Sequence, residues 1–229
     1  MALIEQAQAY DEWFGRNGNI FESEALAIEE LIPYDVDLED AIDLGCGTGL
    51  FTIRLGIPFG IEPSEPMAEL ARRKGIDVVI APAEDTPFGD EQFSLALLCG
   101  VTSYLSDRRK AIQEVYRILR PNGYLIVADV QKGIGFAELY ERAVKEGKYP
   151  EDEAPETPYP IEFAKLAKWP EVSELCDLLH QVGFTNLETR QTLTTRPKEA
   201  NKTVERPKRG HESGSWVVIR GVKRNLKNK

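Results

Sequence analysis

The chain has 229 residues, of which 42% are hydrophobic, and a formal net charge of −10 at pH 7. This length and composition suffice for one α/β domain with a buried core, and no segment approaches the roughly 20 consecutive apolar residues of a membrane helix. The negative charge disfavours binding to nucleic-acid phosphates or to an anionic membrane surface, so a small or cationic partner fits better.

Cysteine usage and the N-terminal residues together predict a cytoplasmic protein. The cysteines are Cys46, Cys99 and Cys176. Their odd number and the lack of a C-x-x-C pair indicate reduced thiols and no structural zinc. The first residues, MALIEQAQAYDEW, lack the basic region, apolar stretch and cleavage site of a signal peptide.

Strands and helices alternate regularly through residue 130, after two helical segments in the first 32 residues. The pattern predicts strands at 41–44, 57–62, 77–81, 93–101 and 124–130, helices at 51–55, 64–75 and 106–120, and a turn at 120–123. The third and fourth strands are continuous apolar runs, which is typical of parallel strands covered on both faces. The alternation therefore predicts a doubly wound parallel sheet with right-handed crossovers.

The C-terminal part of the chain does not continue this alternation of strands and helices. In order, we expect a helix near 135–146, an irregular proline-rich acidic segment at 147–160, an amphipathic helix that ends at Gly183, and an antiparallel pair of strands at 185–193 and 215–224. A long loop, residues 195–214, joins the two strands. The predicted fold is α/β, with a Rossmann-like, doubly wound seven-stranded sheet that is mostly parallel and has a C-terminal antiparallel strand.

Three glycines follow the first predicted strand in the sequence AIDLGCGTGLF. Because Gly45, Gly47 and Gly49 lack Cβ atoms, this turn can take positive φ, and a ligand can approach its backbone N–H groups. A dinucleotide fingerprint, G-x-G-x-x-G, would have a small residue at the position of Leu50. Glu62 ends the second strand, where a carboxylate can accept hydrogen bonds from both hydroxyls of a ribose. The pattern predicts a nucleoside ligand and disfavours NAD.

Four segments in this order resemble successive motifs of the class I S-adenosylmethionine-dependent methyltransferases that act on small molecules. They are AIDLGCGTGLF (41–51), FGIEPSEPMAELARRKG (59–75), APAEDTPFGDEQFSLALLCG (81–100) and AIQEVYRILRPNGYLIVAD (111–129). The terminal segments YDEWFGRNGNIFESEA and GSWVVIRGVKR also resemble a bacterial and archaeal branch loosely labelled histamine N-methyltransferase-related. The resemblance implies S-adenosyl-L-methionine as cofactor, S-adenosyl-L-homocysteine as its product, and a small-molecule acceptor.

The resemblance also assigns residues to the methionine part of the cofactor. Asp43 would orient the glycine loop or bind the methionine part through water. The backbone of Gly45, Cys46 and Gly47 would line the methionine amino and carboxyl groups. Cys99, followed by Gly100, ends the fourth strand, and both would lie beside the methionine chain and the transferable methyl group.

The nucleoside part of the cofactor would lie along the second and third strands. Glu62 would hold the ribose hydroxyls, and Pro63 would flank the adenine. Pro82 stands where the family commonly has an acid that contacts the adenine amino group. This departure shifts the expected contact to the backbone N–H of Ala83 and to Glu84.

The acceptor side of the site is less defined by the sequence. Tyr10 and Trp13 are interpreted either as a lid over the sulfonium or as core-packing aromatics, and Tyr104 is a further candidate there. No general base and no metal site are identified, since the fourth strand ends in Cys99 where metal-dependent relatives have an aspartate. Two alternatives stay open: a non-catalytic module that binds S-adenosylmethionine, and an NAD-linked oxidoreductase.

We expect one methyltransferase domain over residues 1–229. Within it, residues 1–36 form a helical lid, 37–130 the cofactor-binding core, and 131–170 a substrate cap. Residues 171–229 supply the last helix and the antiparallel strands. The expected partner is the small-molecule acceptor, with no nucleic acid and no membrane.

Overall fold

An eight-stranded mixed sheet forms the centre of the computed structural model, which describes the backbone of residues 2–225 and the side chains of residues 7–225. The strands are β1 (Ala41–Leu44), β2 (Phe59–Ile61), β3 (Asp77–Val79), β4 (Phe93–Cys99), β5 (Leu119–Val130), β6 (Phe184–Thr192), β7 (Lys208–Arg209) and β8 (Trp216–Lys223). Their order is β3-β2-β1-β4-β5-β8-β6-β7. Strands β1 to β5 are parallel, whereas β8 pairs antiparallel with both β5 and β6.

The predicted fold class and the C-terminal antiparallel pair are confirmed, but the strand count is eight rather than seven. The additional strand is β7, a two-residue pairing with β6 inside the long loop. Both of its residues are exposed and basic, so no apolar alternation marked it. The turn predicted at 120–123 lies within β5, where Asn122 has a φ of 66° and the pairing with β4 shifts in register.

Eight α-helices cover the two faces of the sheet among the described residues. They are α1 (Ala2–Arg16), α2 (Gly18–Glu29), α3 (Leu50–Arg54), α4 (Glu65–Arg73), α5 (Arg108–Ile118), α6 (Phe136–Glu146), α7 (Ile161–Ala164) and α8 (Val172–Val182). The four-residue α7 interrupts the irregular region after 147–160 and was not predicted. No helix among these residues is long and apolar enough to cross a membrane.

Alternating side chains of the central strands bury the two faces in separate apolar clusters. In β4, Leu95, Leu97 and Cys99 pack with the cluster that includes α1, α2 and α6. Ala96 and Leu98 pack with the cluster that includes α5 and α8. This two-sided burial explains why the strand sequences are continuous apolar runs.

The link between α1 and α2, in the sequence GRNGN, is fixed by two asparagines. Asn17 is buried, and its Nδ2 donates hydrogen bonds to the backbone oxygens of Trp13 (2.9 Å) and Thr157 (3.1 Å). Asn19 donates from its Nδ2 to the backbone oxygen of Asn201 (2.8 Å). The N-terminal helices are therefore tied both to the segment at 147–160 and to the loop at 195–214.

Candidate active site

A cavity of about 490 Å³ opens at the carboxyl ends of β1, β2 and β4, the edge at which open α/β sheets bind ligands. Its wall contains every residue predicted to bind the cofactor and two of the three predicted on the acceptor side: Asp43, Gly45, Cys46, Gly47, Glu62, Pro63, Ala83, Glu84, Cys99, Gly100, Tyr10 and Tyr104. The third, Trp13, is not in the wall. A wider groove of about 760 Å³ between α6 and residues 193–197 is lined by none of the predicted site residues.

The backbone N–H groups of the glycine loop are bonded within the protein, contrary to the expectation that a ligand would meet them. The N–H groups of Gly45 and Cys46 both donate to the backbone oxygen of Ile61, at 2.7 and 2.9 Å. The N–H of Gly47 donates to Oε2 of Glu62 at 3.0 Å. These bonds fix the loop against β2, so its N–H groups are already paired within the protein.

Two glycines of the loop serve different purposes. At Gly49 (φ +82°) an added Cβ would lie 2.3 Å from Ile76 Cδ1 and 3.0 Å from Ala71 Cβ, so this glycine lets α3 and α4 pack closely. At Gly47 (φ +56°) an added Cβ would meet only Met67 Sδ, at 4.0 Å. Since Gly47 lines the cavity, a side chain there would occupy space that a ligand can use.

Asp43 presents an unpaired carboxylate oxygen at the cavity wall. The side chain is 1% exposed, and its Oδ2 accepts a hydrogen bond from Thr52 Oγ1 at 2.7 Å. Its Oδ1 is buried and has no partner among the described residues. Burial raises the pKa of Asp43 to about 7. The hydrogen bond from Thr52 opposes this rise, and the nearby charge of Glu62 adds to it. A ligand that donates a hydrogen bond from a positively charged group would satisfy this oxygen.

Glu62 follows β2 and holds the glycine loop and the start of α4 together. Its Oε2 accepts from the N–H of Gly47, and its Oε1 accepts from the N–H of Ser64 at 2.8 Å. Burial raises the pKa of Glu62, and these two backbone hydrogen bonds partly offset the rise. Each carboxylate oxygen can accept a second hydrogen bond, so the predicted ribose contact is geometrically open.

Glu84 connects the third-strand loop to the start of α5. Its Oε1 accepts from the N–H and Oγ of Ser106, at 3.0 and 2.8 Å, and from the N–H of Asp107. Partial burial opposes ionisation, but these hydrogen bonds hold the pKa of Glu84 below its ordinary value. Glu84 thus positions the Ser106 segment of the wall, and its contact with adenine stays a prediction.

A cluster of aromatic side chains also lines the cavity. Tyr10 lies 5.8 Å from Phe163 and 6.4 Å from Tyr159 between ring centroids. The hydroxyl groups of Tyr104 and Tyr159 are 3.3 Å apart. Trp13 packs edge-on against Tyr159 at 5.1 Å and donates from its Nε1 to the backbone oxygen of Thr157. Trp13 is therefore a core residue that supports the wall.

Sequence reasoning missed Tyr159 and Phe163. They flank the start of α7 in the sequence YPIEFA, where Pro160 precedes the helix and the two rings come four residues apart. Their ring centroids are 5.9 Å apart. This spacing, which puts two side chains on one helical face, was the available signal, but the surrounding prolines made the segment look irregular.

Cys99 at the end of β4 and Asp129 near the end of β5 do not act as a nucleophile or a base in this arrangement. Burial, with the nearby charge of Asp43, raises the pKa of the Cys99 thiol well above its ordinary value, which opposes a nucleophilic role. Asp129, at the end of β5, accepts hydrogen bonds from Thr102 Oγ1, from the N–H and Oγ of Ser103 and from the N–H of Val130. It therefore anchors the loop that carries Tyr104.

Comparison with known proteins decides the family. Residues 42–127 match the family model described as a methyltransferase domain. A crystal structure from Thermotoga maritima, described as an S-adenosylmethionine-dependent methyltransferase and possible histamine N-methyltransferase, is 34% identical with a TM-score of 0.81 and covers 94% of each chain. This chain belongs to the S-adenosylmethionine-dependent methyltransferases. An uncharacterised protein of Methanocaldococcus jannaschii is 30% identical over 95% of this chain and 96% of its own. Another from Mycobacterium tuberculosis is 29% identical over 95% and 72%.

As a member of this family, the methyltransferase uses S-adenosylmethionine as its cofactor. The matched residues 42–127 include all ten predicted cofactor residues, from Asp43 to Gly100. The alternative of an NAD-linked oxidoreductase is wrong, in agreement with Leu50 at the third position of the dinucleotide pattern. The acceptor-side aromatics Tyr10, Tyr159 and Phe163 lie outside the matched residues.

Proposed function

We propose that this methyltransferase transfers a methyl group to a small-molecule acceptor bound in the aromatic half of the cavity. One observation carries the proposal. The same cavity is lined by carboxylates, by the glycine loop and by five aromatic rings, namely Tyr10, Phe51, Tyr104, Tyr159 and Phe163. Its volume of about 490 Å³ lies within the roughly 300–1,000 Å³ of small-molecule sites.

The cofactor half fits S-adenosylmethionine in its donor and acceptor groups. The unpaired Oδ1 of Asp43 would accept a hydrogen bond from the methionine ammonium group, either directly or through water. Glu62 would accept from the ribose hydroxyls while it holds Gly47 in place. The open space beside Gly47 leaves room for the methionine chain. The cofactor supplies an electrophilic methyl group on a sulfonium, so the protein need not activate it.

The remaining work of the chain is to hold the acceptor in line with that methyl group and to exclude water. Cys99 and Gly100 line the same cavity as the carboxylates and the aromatic side chains, and we propose that the transfer takes place beside them. Holding the reacting atoms in near-attack geometry supplies a large part of the rate enhancement, up to roughly 7–11 kcal/mol in favourable cases. A general base is required only for an acceptor that must first lose a proton.

We propose that this transfer needs no metal ion. The proposal rests on the donor set: β4 ends in the Cys99 thiol, and both carboxylate oxygens of Asp129 accept hydrogen bonds from Thr102, Ser103 and Val130. In the part of the chain that the structure describes, no three His, Cys, Asp or Glu residues lie close enough to hold a metal ion. Turnover that is unchanged by EDTA would support the metal-free reaction.

We propose that residues 1–36 act as the lid and residues 131–170 as the cap of the acceptor. Helix α1 contributes Tyr10 to the cavity wall. A salt bridge from Asp11 Oδ2 to Lys74 Nζ, at 2.6 Å, joins this helix to the end of α4. Lys74 also donates to the backbone oxygen of Thr48 in the glycine loop at 2.8 Å. The residue 131–170 segment contributes Tyr159 and Phe163.

Calorimetry and turnover test this proposal. S-adenosylhomocysteine should bind the wild-type protein, NAD should not, and Asp43→Asn should weaken the binding. Release of S-adenosylhomocysteine is then measured with a library of amines, thiols and phenols, in which histamine is included because of the description of the Thermotoga relative. Failure of S-adenosylhomocysteine to bind, or binding without turnover for any small acceptor, would contradict the proposed function.

A further inference from the structure

Four aromatic residues of the cavity wall pack against one another, and we call them the acceptor cluster: Tyr10, Tyr104, Tyr159 and Phe163. The ring of Tyr10 lies 5.8 Å from that of Phe163 and 6.4 Å from that of Tyr159. The rings of Tyr159 and Phe163 are 5.9 Å apart, and the hydroxyl of Tyr104 meets that of Tyr159. The chemistry of this cluster limits which acceptor can bind beside the cofactor.

The charged side chains of the wall are already engaged elsewhere. Among the described residues the wall contains no lysine, arginine or histidine, and its acids are Asp43, Glu62 and Glu84. Glu62 accepts hydrogen bonds from two backbone N–H groups, and Glu84 accepts three from Ser106 and Asp107. The proposed function assigns Asp43 to the methionine ammonium group. An anionic acceptor would therefore lack a basic partner, and a cationic acceptor would lack a free carboxylate.

The rings of the acceptor cluster do not form an open cage for a cation. Tyr10 packs edge-on with Tyr159 and Phe163, at interplanar angles of 76° and 68°. Tyr159 also packs against Trp13 at 83° and against Tyr140 at 34°. These contacts with neighbouring rings leave little of the π face of Tyr159 for a cation. The cofactor brings its own positive charge on sulfur, and a second positive charge beside it would be repelled.

The hydroxyls of Tyr104 and Tyr159 form a neutral hydrogen-bonding pair. Their oxygen atoms lie 3.3 Å apart. Burial raises the pKa of Tyr104 to about 12 and the pKa of Tyr159 well above its ordinary value, so both stay protonated at neutral pH. Two hydroxyls carry two protons, and their mutual hydrogen bond uses one of them. One O–H group is therefore left to donate to a ligand.

Apolar surface is left exposed among the residues that line the cavity. Leu166 is 69% exposed and Tyr104 is 36% exposed, and both line it. Leu50, Val101 and Leu105 add further apolar lining. Exposed apolar groups at a cavity are typical of a site whose ligand covers them. An acceptor with an apolar body would bury this surface.

We propose that the acceptor is an uncharged molecule with an apolar body and one polar group that hydrogen-bonds to the hydroxyl pair of Tyr104 and Tyr159. This inference rests on the proposed function and names the substrate class of the same site. In the transfer, the nucleophilic atom of the acceptor supplies the electron pair of the new bond to the methyl carbon. The pair of the broken S–C bond stays on sulfur, and the proton that the acceptor carried passes to water.

The test uses four probes on wild-type protein saturated with sinefungin, an unreactive analogue with a carbon-bound ammonium group where S-adenosylmethionine has its methylsulfonium. The probes are 2-phenylethanol, ethylbenzene, 2-phenylethylamine and 3-phenylpropionate, which share a benzene ring and a two-carbon chain. We expect calorimetry to show 2-phenylethanol binding about tenfold or more tightly than the amine and the acid, and about fivefold more tightly than ethylbenzene. An amine or acid that binds as tightly as the alcohol, or an alcohol that does not bind, overturns the substrate class.

The hydroxyl pair is tested with the double variant Tyr104→Phe/Tyr159→Phe, and Tyr149→Phe is the matched control. The hydroxyl of Tyr149 is buried without a partner among the described residues, and Tyr149 does not line the cavity. The double variant should bind 2-phenylethanol and ethylbenzene within about twofold of each other, and its S-adenosylhomocysteine affinity should stay within about twofold of wild type. Tyr149→Phe should keep the advantage of the alcohol. An advantage that survives in the double variant overturns the assignment of the pair.

These outcomes separate the inference from the proposed function. If wild-type protein binds neither S-adenosylhomocysteine nor sinefungin, the proposed function has failed. If it binds both and methylates cationic or anionic acceptors in preference to neutral ones, only the present inference has failed. Should the double variant not fold, the four-probe comparison on wild-type protein still decides whether the acceptor is uncharged.

Discussion

Replacement of Asp43 by asparagine should remove a large pH dependence of stability in the ligand-free protein. Asp43 is 1% exposed, and its pKa is raised from the ordinary 3.8 to about 7, mainly by burial. Because the folded state holds the proton more tightly, the stabilising contribution is complete below the unfolded pKa and is lost as the pH rises through about 7. The difference of roughly 3 pH units corresponds to about 4 kcal/mol in total. About 3 kcal/mol of this is lost between pH 5 and pH 8.

Urea unfolding of wild-type protein and Asp43→Asn at a series of pH values from 5 to 8 measures this difference. The free energy of unfolding of the wild type should fall relative to that of the variant by about 3 kcal/mol across the range. Thr52 can still donate to the asparagine oxygen, so the variant keeps the hydrogen bond seen at Oδ2. Two profiles that run parallel would refute the placement of a buried, unpaired carboxylate at this position.

Three other perturbations test the cofactor half and its lid. Glu62→Ala should lower S-adenosylmethionine affinity in calorimetry by about tenfold or more, since hydrogen bonds to a charged group contribute roughly 1.5–3 kcal/mol each; unchanged affinity in a folded variant would contradict the ribose contact. Gly47→Val should abolish binding, because valine opposes a φ of +56° and fills the cavity; retained binding would count against the loop. Hydrogen exchange across residues 8–22 should slow when S-adenosylhomocysteine is added, and Lys74→Met, which removes the contact to Asp11, should speed it in the ligand-free protein; exchange there that the ligand leaves unchanged, while residues 147–160 or 195–214 become protected, would show that the lid is another segment.

The cofactor half was predictable because its signals are local in the sequence. The three closely spaced glycines need positive φ, and Glu62 follows a strand that had to lie beside β1 in a doubly wound sheet. Parallel strands bring their carboxyl ends to one edge, so residues far apart in sequence, such as Asp43 and Cys99, were placed together correctly. Apolar runs and helix periodicity thus sufficed for the sheet, with the two-residue β7 as the omission.

Hydrogen-bond partners and the acceptor wall were not predictable by the same means. The bonds from Gly45 and Cys46 to Ile61 depend on how tightly the loop folds back on β2. Tyr159 lies in a proline-rich segment four residues before Phe163, and its position depends on packing against Trp13 and Tyr140.

The segments proposed as lid and cap, residues 1–36 and 131–170, are hydrogen-bonded to each other. These contacts limit how the site can open. Asn17 joins the N-terminal helices to Thr157, and Asn19 joins them to Asn201. Movement of α1 away from Lys74 would therefore also break the contacts to Thr157 and Asn201. The lid and cap residues lie outside residues 42–127, which match the methyltransferase family model. Substitutions in them can therefore change which acceptor fits while Asp43, Glu62 and the glycine loop stay the same. We therefore expect acceptor choice to depend on the packing of the least regular segments of this protein.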